Sequence, residues 1–176
     1  VTDLPERLAD AFRLIRDVPD YPTPGVLFRD ITPVLADPTA FGTVVEAMAE
    51  HARSADVVVV VEARGFLVGA AVAVAAGVGV VPVRKAGKLP RVAARRDYEL
   101  EYGTATLELP EGCIEPGARA YVVDDVLATG GTLRASCELI EQVGATVTGI
   151  GVLLELTALA GRDRLPGRSV HSLLEG

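Results

Sequence analysis

The hydrophobic and polar positions of this chain switch repeatedly between a helical and an extended period. Leu4, Leu8, Phe12 and Ile15 recur at helical spacing behind Asp3-Leu-Pro-Glu6, a start with an Asp cap, Pro in the first turn and Glu three residues on. This predicts a first helix ending near Asp17, because Pro19 follows. Pro19, Pro22, Pro24, Gly25, Pro33 and Pro38 then exclude long regular elements and predict an extended segment with specified turns. Asp37-Pro38 restarts helix, carried by Phe41, Val44, Val45, Met48 and Ala52 and closing near Arg53.

Val57 to Val61 is an unbroken valine run, the pattern of a strand buried on both faces. The pattern next predicts a helix over 68–76 and a strand over 78–83. An antiparallel hairpin follows from 98–102 and 104–109, a natural holder for a movable flap. A central strand is expected over 118–123. Leu133, Cys137, Ile140 and Val143 mark a helix with Gly144 as its C-cap. A long strand over 146–154, a short helix over 159–165 and an edge strand over 169–174 complete the chain. Strand alternating with helix implies an α/β fold with a mostly parallel central sheet flanked by helices.

Length sharpens this picture. At 176 residues the chain fits one domain, 1–176, large enough to bury a core without staples. Cys113 and Cys137 have no metal-like spacing and read as ordinary small residues. Residues 65–83 carry no charge, long enough in principle for a membrane span, but four glycines interrupt them. A buried helix and strand explain the stretch better, with Gly65 and Gly69 allowing close helix–sheet packing, so no membrane partner is expected. No charged-then-apolar leader stands at the N-terminus, and a cytoplasmic location is the expectation.

The net charge of −7 argues against nucleic acid as a partner. Within this acidic chain, Arg84, Lys85, Lys88, Arg91, Arg95 and Arg96 form a basic island with no acid among them. A solvated loop is the plain explanation; a polyanionic ligand is the functional one.

The chemistry concentrates in Tyr121-Val-Val-Asp-Asp-Val-Leu-Ala-Thr-Gly-Gly-Thr132. Apolar residues lead into paired carboxylates, Asp124 and Asp125. Ala128, Thr129, Gly130, Gly131 and Thr132 then offer backbone N–H groups and two hydroxyls at a helix N-terminus, which favours phosphate. The order is wrong for a P-loop, and its lysine is missing. A loop for phosphate beside acids for hydroxyls suits a phosphorylated sugar. Arg64 follows the valine strand at its C-terminal end, where open α/β sheets bind ligands, and is placed for a second phosphate group. Phe28, among apolar neighbours in 26–30, either staples the segment to a core or stacks on a planar ligand; composition does not choose.

Tyr121 to Thr132 resembles the phosphoribosyl-pyrophosphate motif of the type I phosphoribosyltransferases. Tyr21-Pro-Thr-Pro-Gly-Val-Leu-Phe-Arg-Asp-Ile-Thr32, Glu62-Ala-Arg-Gly-Phe66, Arg84-Lys-Ala-Gly-Lys-Leu-Pro90 and Leu100-Glu-Tyr-Gly103 resemble the adenine-specific branch of that family, and the match extends over about 21–165. The resemblance implies the type I fold with a flexible hairpin flap and a small hood from the N-terminal segment. It implies transfer of phosphoribose from phosphoribosyl pyrophosphate to adenine, giving AMP and pyrophosphate, with Mg²⁺ bound mainly through the diphosphate and a homodimer as the assembly. Asp124 and Asp125 would address the ribose hydroxyls, and Ala128 to Thr132 the 5-phosphate. Arg64 would lie in a pyrophosphate loop that in this family often contains a non-proline cis peptide. Arg84, Lys85 and Lys88 would engage the pyrophosphate. Phe28 would stack on adenine beside Leu27 and Arg29. Glu101, with Tyr102 in the flap, would be the proton-transfer residue near the base.

This fits an inventory without a Ser–His or Cys–His nucleophile, since departure of pyrophosphate needs charge stabilisation rather than attack by the protein. Val92, Ala93 and Ala94 depart from the polar residues usual in the flap, and Arg95-Arg96 is an unusual pair. Two other readings remain: a non-catalytic sensor of phosphoribosyl pyrophosphate, for which no output module is evident, and the same transfer to hypoxanthine, guanine or xanthine. Because adjacent residues on an extended chain point opposite ways, only one of Asp124 and Asp125 is expected to contact ribose unless a turn redirects both.

Overall fold

The structure is a computed structural model and describes residues 3–99 and 103–176. The chain divides into two compact units, Val1–Ala47 and Met48–Gly176.

In the first unit, helix α1 (Leu4–Phe12) begins as the sequence predicts, with the Asp3 carboxylate accepting the Leu4 N–H at 2.8 Å. It does not reach Asp17. The Leu14 and Ile15 N–H groups turn back onto the Ala11 and Phe12 carbonyls, and strand β1 (Arg16–Pro19) pairs antiparallel with β2 (Leu27–Asp30). Pro19 already disfavours helix at Val18, so a ladder satisfies these backbone groups better than another turn could. Between the strands, the Asp20 carboxylate accepts the Gly25 N–H at 2.7 Å, Gly25 adopts φ +87°, and Tyr21–Pro22 is cis. The short α2 (Thr32–Ala36) precedes α3 (Pro38–Ala52), whose Asp37 carboxylate accepts the Thr39 and Ala40 N–H groups at 2.9 and 2.8 Å.

The second unit is built on a seven-stranded sheet. Its strands are β3 (Val57–Val61), β4 (Gly79–Lys85), β5 (Val92–Glu99), β6 (Thr104–Pro110), β7 (Arg119–Leu127), β8 (Thr146–Glu155) and β9 (Val170–Glu175), in the order β5-β6-β4-β3-β7-β8-β9. From β4 to β9 the neighbours run parallel, and β6 pairs antiparallel with both β4 and β5. The valine run of β3 lies at the centre with every residue buried, each side chain contributing about 1.5–3 kcal/mol of transfer free energy. On one face, Val59, Val61 and Val122 pack with Leu133, Cys137 and Ile140 of helix α5 (Gly131–Gln142). Burial pushes the Cys137 thiol up to about 12, the behaviour of a core residue.

On the other face lies α4 (Gly65–Ala76), which starts earlier than residue 68. A Cβ on Gly69 would stand 2.1 Å from Val60 Cγ1, so the close helix–sheet approach expected of the glycines is present. At 12 residues, α4 is too short to cross a membrane, and among the described residues no helix is long and apolar enough to do so. The hairpin also starts earlier than expected, at Val92 rather than Tyr98, with a bulge between Val92 and Ala94. Ala94 is buried with Leu107 and Leu109, which gives the apolar stretch of 92–94 a core role. The short helix expected over 159–165 is a pair of 3₁₀ turns, Thr157–Leu159 and Gly161–Arg164.

Candidate active site

Strand β7 continues to Leu127, beyond the 118–123 expected from the pattern, so Asp124 and Asp125 lie within the strand and not on the turn after it. Pairing with β8 extends to Leu127↔Glu155 and holds both acids in the sheet. Their carboxyl groups remain close enough to act on each other. Asp124 lines a hollow of about 70 Å³ together with residues 126–130, Thr132 and Leu133. Asp125 instead meets the preceding corner, with Arg64 Nε 2.7 Å from its Oδ2. The two carboxylates are 8% and 7% exposed. One Asp124 oxygen accepts the Asp125 N–H at 2.9 Å. Burial, followed by the neighbouring Asp125 charge, holds the Asp124 carboxyl well above the usual carboxylate range.

The hollow has the volume of a small anion, on the order of two waters at about 30 Å³ each. Its wall is the Ala128–Thr132 loop at the N-terminus of α5. Gly130 precedes the helix at φ +81° and no side chain caps it, leaving the first-turn N–H groups of Gly131, Thr132 and Leu133 without an intrahelical acceptor. The first helical bond runs from Arg134 N–H to the Gly130 carbonyl at 2.9 Å.

A contact that the sequence did not disclose fixes this loop from behind. A Cβ on Gly130 would lie 2.3 Å from the Gly161 carbonyl oxygen, and one on Gly161 would lie 2.2 Å from the Ala128 carbonyl oxygen. Two backbones therefore touch where only glycine fits. The 3₁₀ turn carrying Gly161 is itself anchored. Arg162 donates from Nε and Nη2 to the buried Glu155 carboxylate at 2.7 Å each, from Nη1 to the Val170 carbonyl, and from Nη2 to Ser172. Bonds from Arg162 outweigh burial and hold the Glu155 carboxyl below its ordinary value.

At the end of β3 the Glu62–Ala63 peptide is cis, and Arg64 opens α4. The absence of a side chain at Gly65 is equally constrained: a Cβ there would stand 2.6 Å from Asp124 Oδ1. Gly65 thus lets the arginine loop and the acid pair share one corner at the carboxyl ends of parallel strands.

The basic island is not free of acids once folded. Glu62 takes Arg84 Nε at 3.3 Å, the Lys85 N–H at 2.9 Å and the Lys88 ammonium. Arg84 also lies over the Phe66 ring, 5.8 Å from its centroid. Arg95 pairs with Glu108 at 2.9 Å and Arg96 with Glu138 at 2.5 Å. A cleft of about 330 Å³ opens beside Gly131, lined by Arg96, Tyr98, Arg134, Glu138 and Arg164 among others.

The remaining expected site residues belong to the first unit or fall outside the described residues. Leu27, Phe28 and Arg29 belong to β2 of the first unit. Leu27 is exposed, Phe28 packs edge-to-face on Tyr21 with centroids 5.2 Å apart, and Arg29 pairs with Asp17 at 3.2 Å. Glu101 and Tyr102 lie outside the described residues. Among the described residues no cluster of three or more His, Cys, Asp or Glu could hold a metal. The closely spaced carboxylates of Asp124 and Asp125, with the proton affinity of the first raised by burial and then by the charge of the second, nonetheless fit a cation shared with an anionic ligand.

Comparison with known proteins matches this arrangement. Residues 34–170 match the phosphoribosyl transferase domain. An adenine phosphoribosyltransferase of Saccharopolyspora erythraea is 58% identical over 98% of this chain and 94% of its own length. The crystal structure of the adenine phosphoribosyltransferase of Thermoanaerobacter pseudethanolicus superposes with a TM-score of 0.91 at 46% identity, covering 96% of this chain and 99% of that one. The Saccharomyces cerevisiae adenine phosphoribosyltransferase, complexed with an imino-altritol bisphosphate and adenine, superposes with a TM-score of 0.91 at 37% identity over 96% of this chain and 98% of that one. With this family match, this identity and this superposition, the chain belongs to the adenine phosphoribosyltransferases of the type I phosphoribosyltransferase superfamily.

Proposed function

We infer that the protein works in purine salvage, transferring the phosphoribosyl group of phosphoribosyl pyrophosphate to adenine with formation of AMP and pyrophosphate. The observation that carries this reading is the hollow at the α5 N-terminus beside Asp124, with Arg64 at the adjoining corner. The N–H groups of 131–133 would hold the 5-phosphate, where the helix dipole favours negative charge. Asp124, facing the hollow, is the acid placed for a ribose hydroxyl, while Asp125 orients Arg64 toward the second phosphate group. Mg²⁺, when bound through the diphosphate, would neutralise charge on the leaving group.

Bond breaking at the anomeric carbon leaves positive charge on the sugar and negative charge on the departing diphosphate. Arg64, Arg84, Lys85 and Lys88 would stabilise the latter as it develops. Phe28, with Leu27 and Arg29 beside it, would stack on adenine, and Glu101 would take the N9 proton while Tyr102 and its flap exclude water. The two compact units act as one phosphoribosyltransferase domain in this reading, in a cytoplasmic setting.

A homodimer goes with it. Helix α4 contains no polar side chain, yet Leu67 is 59% and Val74 82% exposed, on the stripe that also exposes Ala70. A helix apolar all round is normally buried, and a second copy would cover this stripe. The test of the activity is direct: purified protein with Mg²⁺, phosphoribosyl pyrophosphate and adenine, hypoxanthine, guanine or xanthine in turn. AMP formed with adenine alone is expected. No AMP with adenine would overturn the reading, and nucleotide formed from another base would move the specificity.

A further inference from the structure

Glu62 has no part in the chemistry above, yet it is the acid on which the basic loop closes. It follows directly on β3, and its side chain is only 8% exposed. Arg84 and Lys88, 32% and 46% exposed, both reach this one carboxylate, and the Lys85 N–H completes it. Burial would raise the carboxyl, but Lys88, the Lys85 N–H and Arg84 together bring it down to about 2, so the group stays ionised at any assay pH. The reach is made by a tight turn in which Gly87 adopts φ +81° and gives its N–H to the buried Glu108 at 3.0 Å. Glu62 thus occupies, with one negative charge, the donors that the proposed function gives to a diphosphate.

We propose that Glu62 is a positioning residue that stands in for the diphosphate: it holds Arg84 and Lys88 in the empty site, yields them to the incoming anion, and recaptures them as pyrophosphate leaves. This rests on the assignment of Arg84 and Lys88 to the diphosphate. A diphosphate carries more charge than a carboxylate and offers more acceptor oxygens, so it wins both cations when present. The standing competition weakens its binding and speeds its release. The cations are partly exposed, so the competition is modest in size and screened by salt.

The test is pyrophosphate binding by calorimetry in the presence of Mg²⁺, with the full chain, in Glu62→Gln and the parent. The amide keeps the shape and removes the charge. The dissociation constant for pyrophosphate is expected to fall about three- to tenfold, the size of a partly exposed charge pair. The gain should shrink as salt rises from about 50 to 500 mM. The KM for phosphoribosyl pyrophosphate should fall with it, and kcat should fall where product release limits turnover. A merely structural role predicts weaker binding, not tighter. Glu62→Asp serves if the amide variant fails to fold: one methylene shorter, it cannot hold both cations, and its constant should shift in the same direction by less. Unchanged or weaker pyrophosphate binding in whichever of the two variants folds would overturn the proposal. Arg84→Ala and Lys88→Ala separate it from the reading beneath: if neither weakens pyrophosphate binding, the assignment of the basic loop has failed, whatever Glu62 does.

Discussion

Alanine at Gly130 is the sharpest perturbation of the Ala128–Thr132 loop. The residue has φ +81°, which costs an L side chain about 1–2 kcal/mol. Its new Cβ would also stand 2.3 Å from the Gly161 carbonyl oxygen and 3.1 Å from the carbon behind it. Neither neighbour is a flexible side-chain end, so loop or turn must retreat by about 1 Å to reach van der Waals distance. Overpacking of this kind costs about 1–3 kcal/mol, for a total of about 2–5 kcal/mol. Gly112 supplies the control. Its φ is +71°, and nothing lies within 4 Å of a Cβ built there, so Gly112→Ala isolates the backbone cost of about 1–2 kcal/mol. Urea unfolding of both variants at one pH measures the difference. Displacing the loop by about 1 Å would also misplace the 5-phosphate that the proposed function seats there, and misplacements of that size cost about 10²-fold in rate. Gly130→Ala should therefore lose about a hundredfold in kcat/KM for phosphoribosyl pyrophosphate, while Gly112→Ala keeps the parental value. Equal destabilisation of the two, or parental kcat/KM in Gly130→Ala, would refute the bracing of the loop by Gly161.

Other outcomes follow from the same geometry. Asp124→Asn with Asp125→Asn should abolish turnover with the fold intact; retained activity would remove these acids from the mechanism. Asp124→Asn alone should raise Tm at pH 8. The raised carboxyl contributes stability that is complete below its unfolded value near pH 4 and lost as pH rises through the folded one, so the gain should vanish toward about pH 4. A Tm gain that is absent at pH 8 would contradict the burial argument. Val74→Glu places a charge in the apolar stripe of α4 and should give a monomer by sedimentation where the parent is a dimer; an unchanged dimer would place the interface elsewhere. His171 stacks on His51 with centroids 3.9 Å apart and shares hydrogens with Tyr121 and Ser169 at 3.0 and 3.1 Å. Burial, then His51, then Arg162 hold its imidazole below the ordinary value. The unfolded chain therefore binds the proton first, and stability is lost as pH falls from about 6.5 toward the folded value. His171→Gln should show a smaller drop in Tm between pH 7 and pH 5 than the parent, and an equal drop would refute the linkage.

Much of the site could be read in the chain because its parts are local. The 128–132 loop proposed for phosphate, the acids before it and the arginine after the valine strand are short stretches whose candidate chemistry follows from residue type and order. Both acids lie in β7, where alternation along a strand applies, yet their carboxyl groups stay close enough to act on each other. What periodicity misjudged were boundaries. Helix α1 yields to the β1–β2 ladder, and β5 begins earlier because Ala94 joins Leu107 and Leu109 in the core. In each case a partner distant in sequence offered the backbone or side chain more than its local preference did.

By itself the sequence determined the alternation of strands and helices beyond residue 38, their mostly parallel arrangement, and the residue types of the 128–132 loop and the acid corner, but not the β1–β2 ladder or α2. Tertiary structure alone decided how these residues pair. It placed Glu62 against Arg84 and Lys88, more than twenty positions away, so that a run of cations that looks unopposed meets an acid. It set Gly161 against Gly130 and gave Arg162 to Glu155, so that a turn with no chemistry of its own holds the phosphate loop in place. The reason is physical: patterning along a chain records which face of an element is apolar, whereas charge pairing and backbone contact depend on distances that exist only once the sheet has formed.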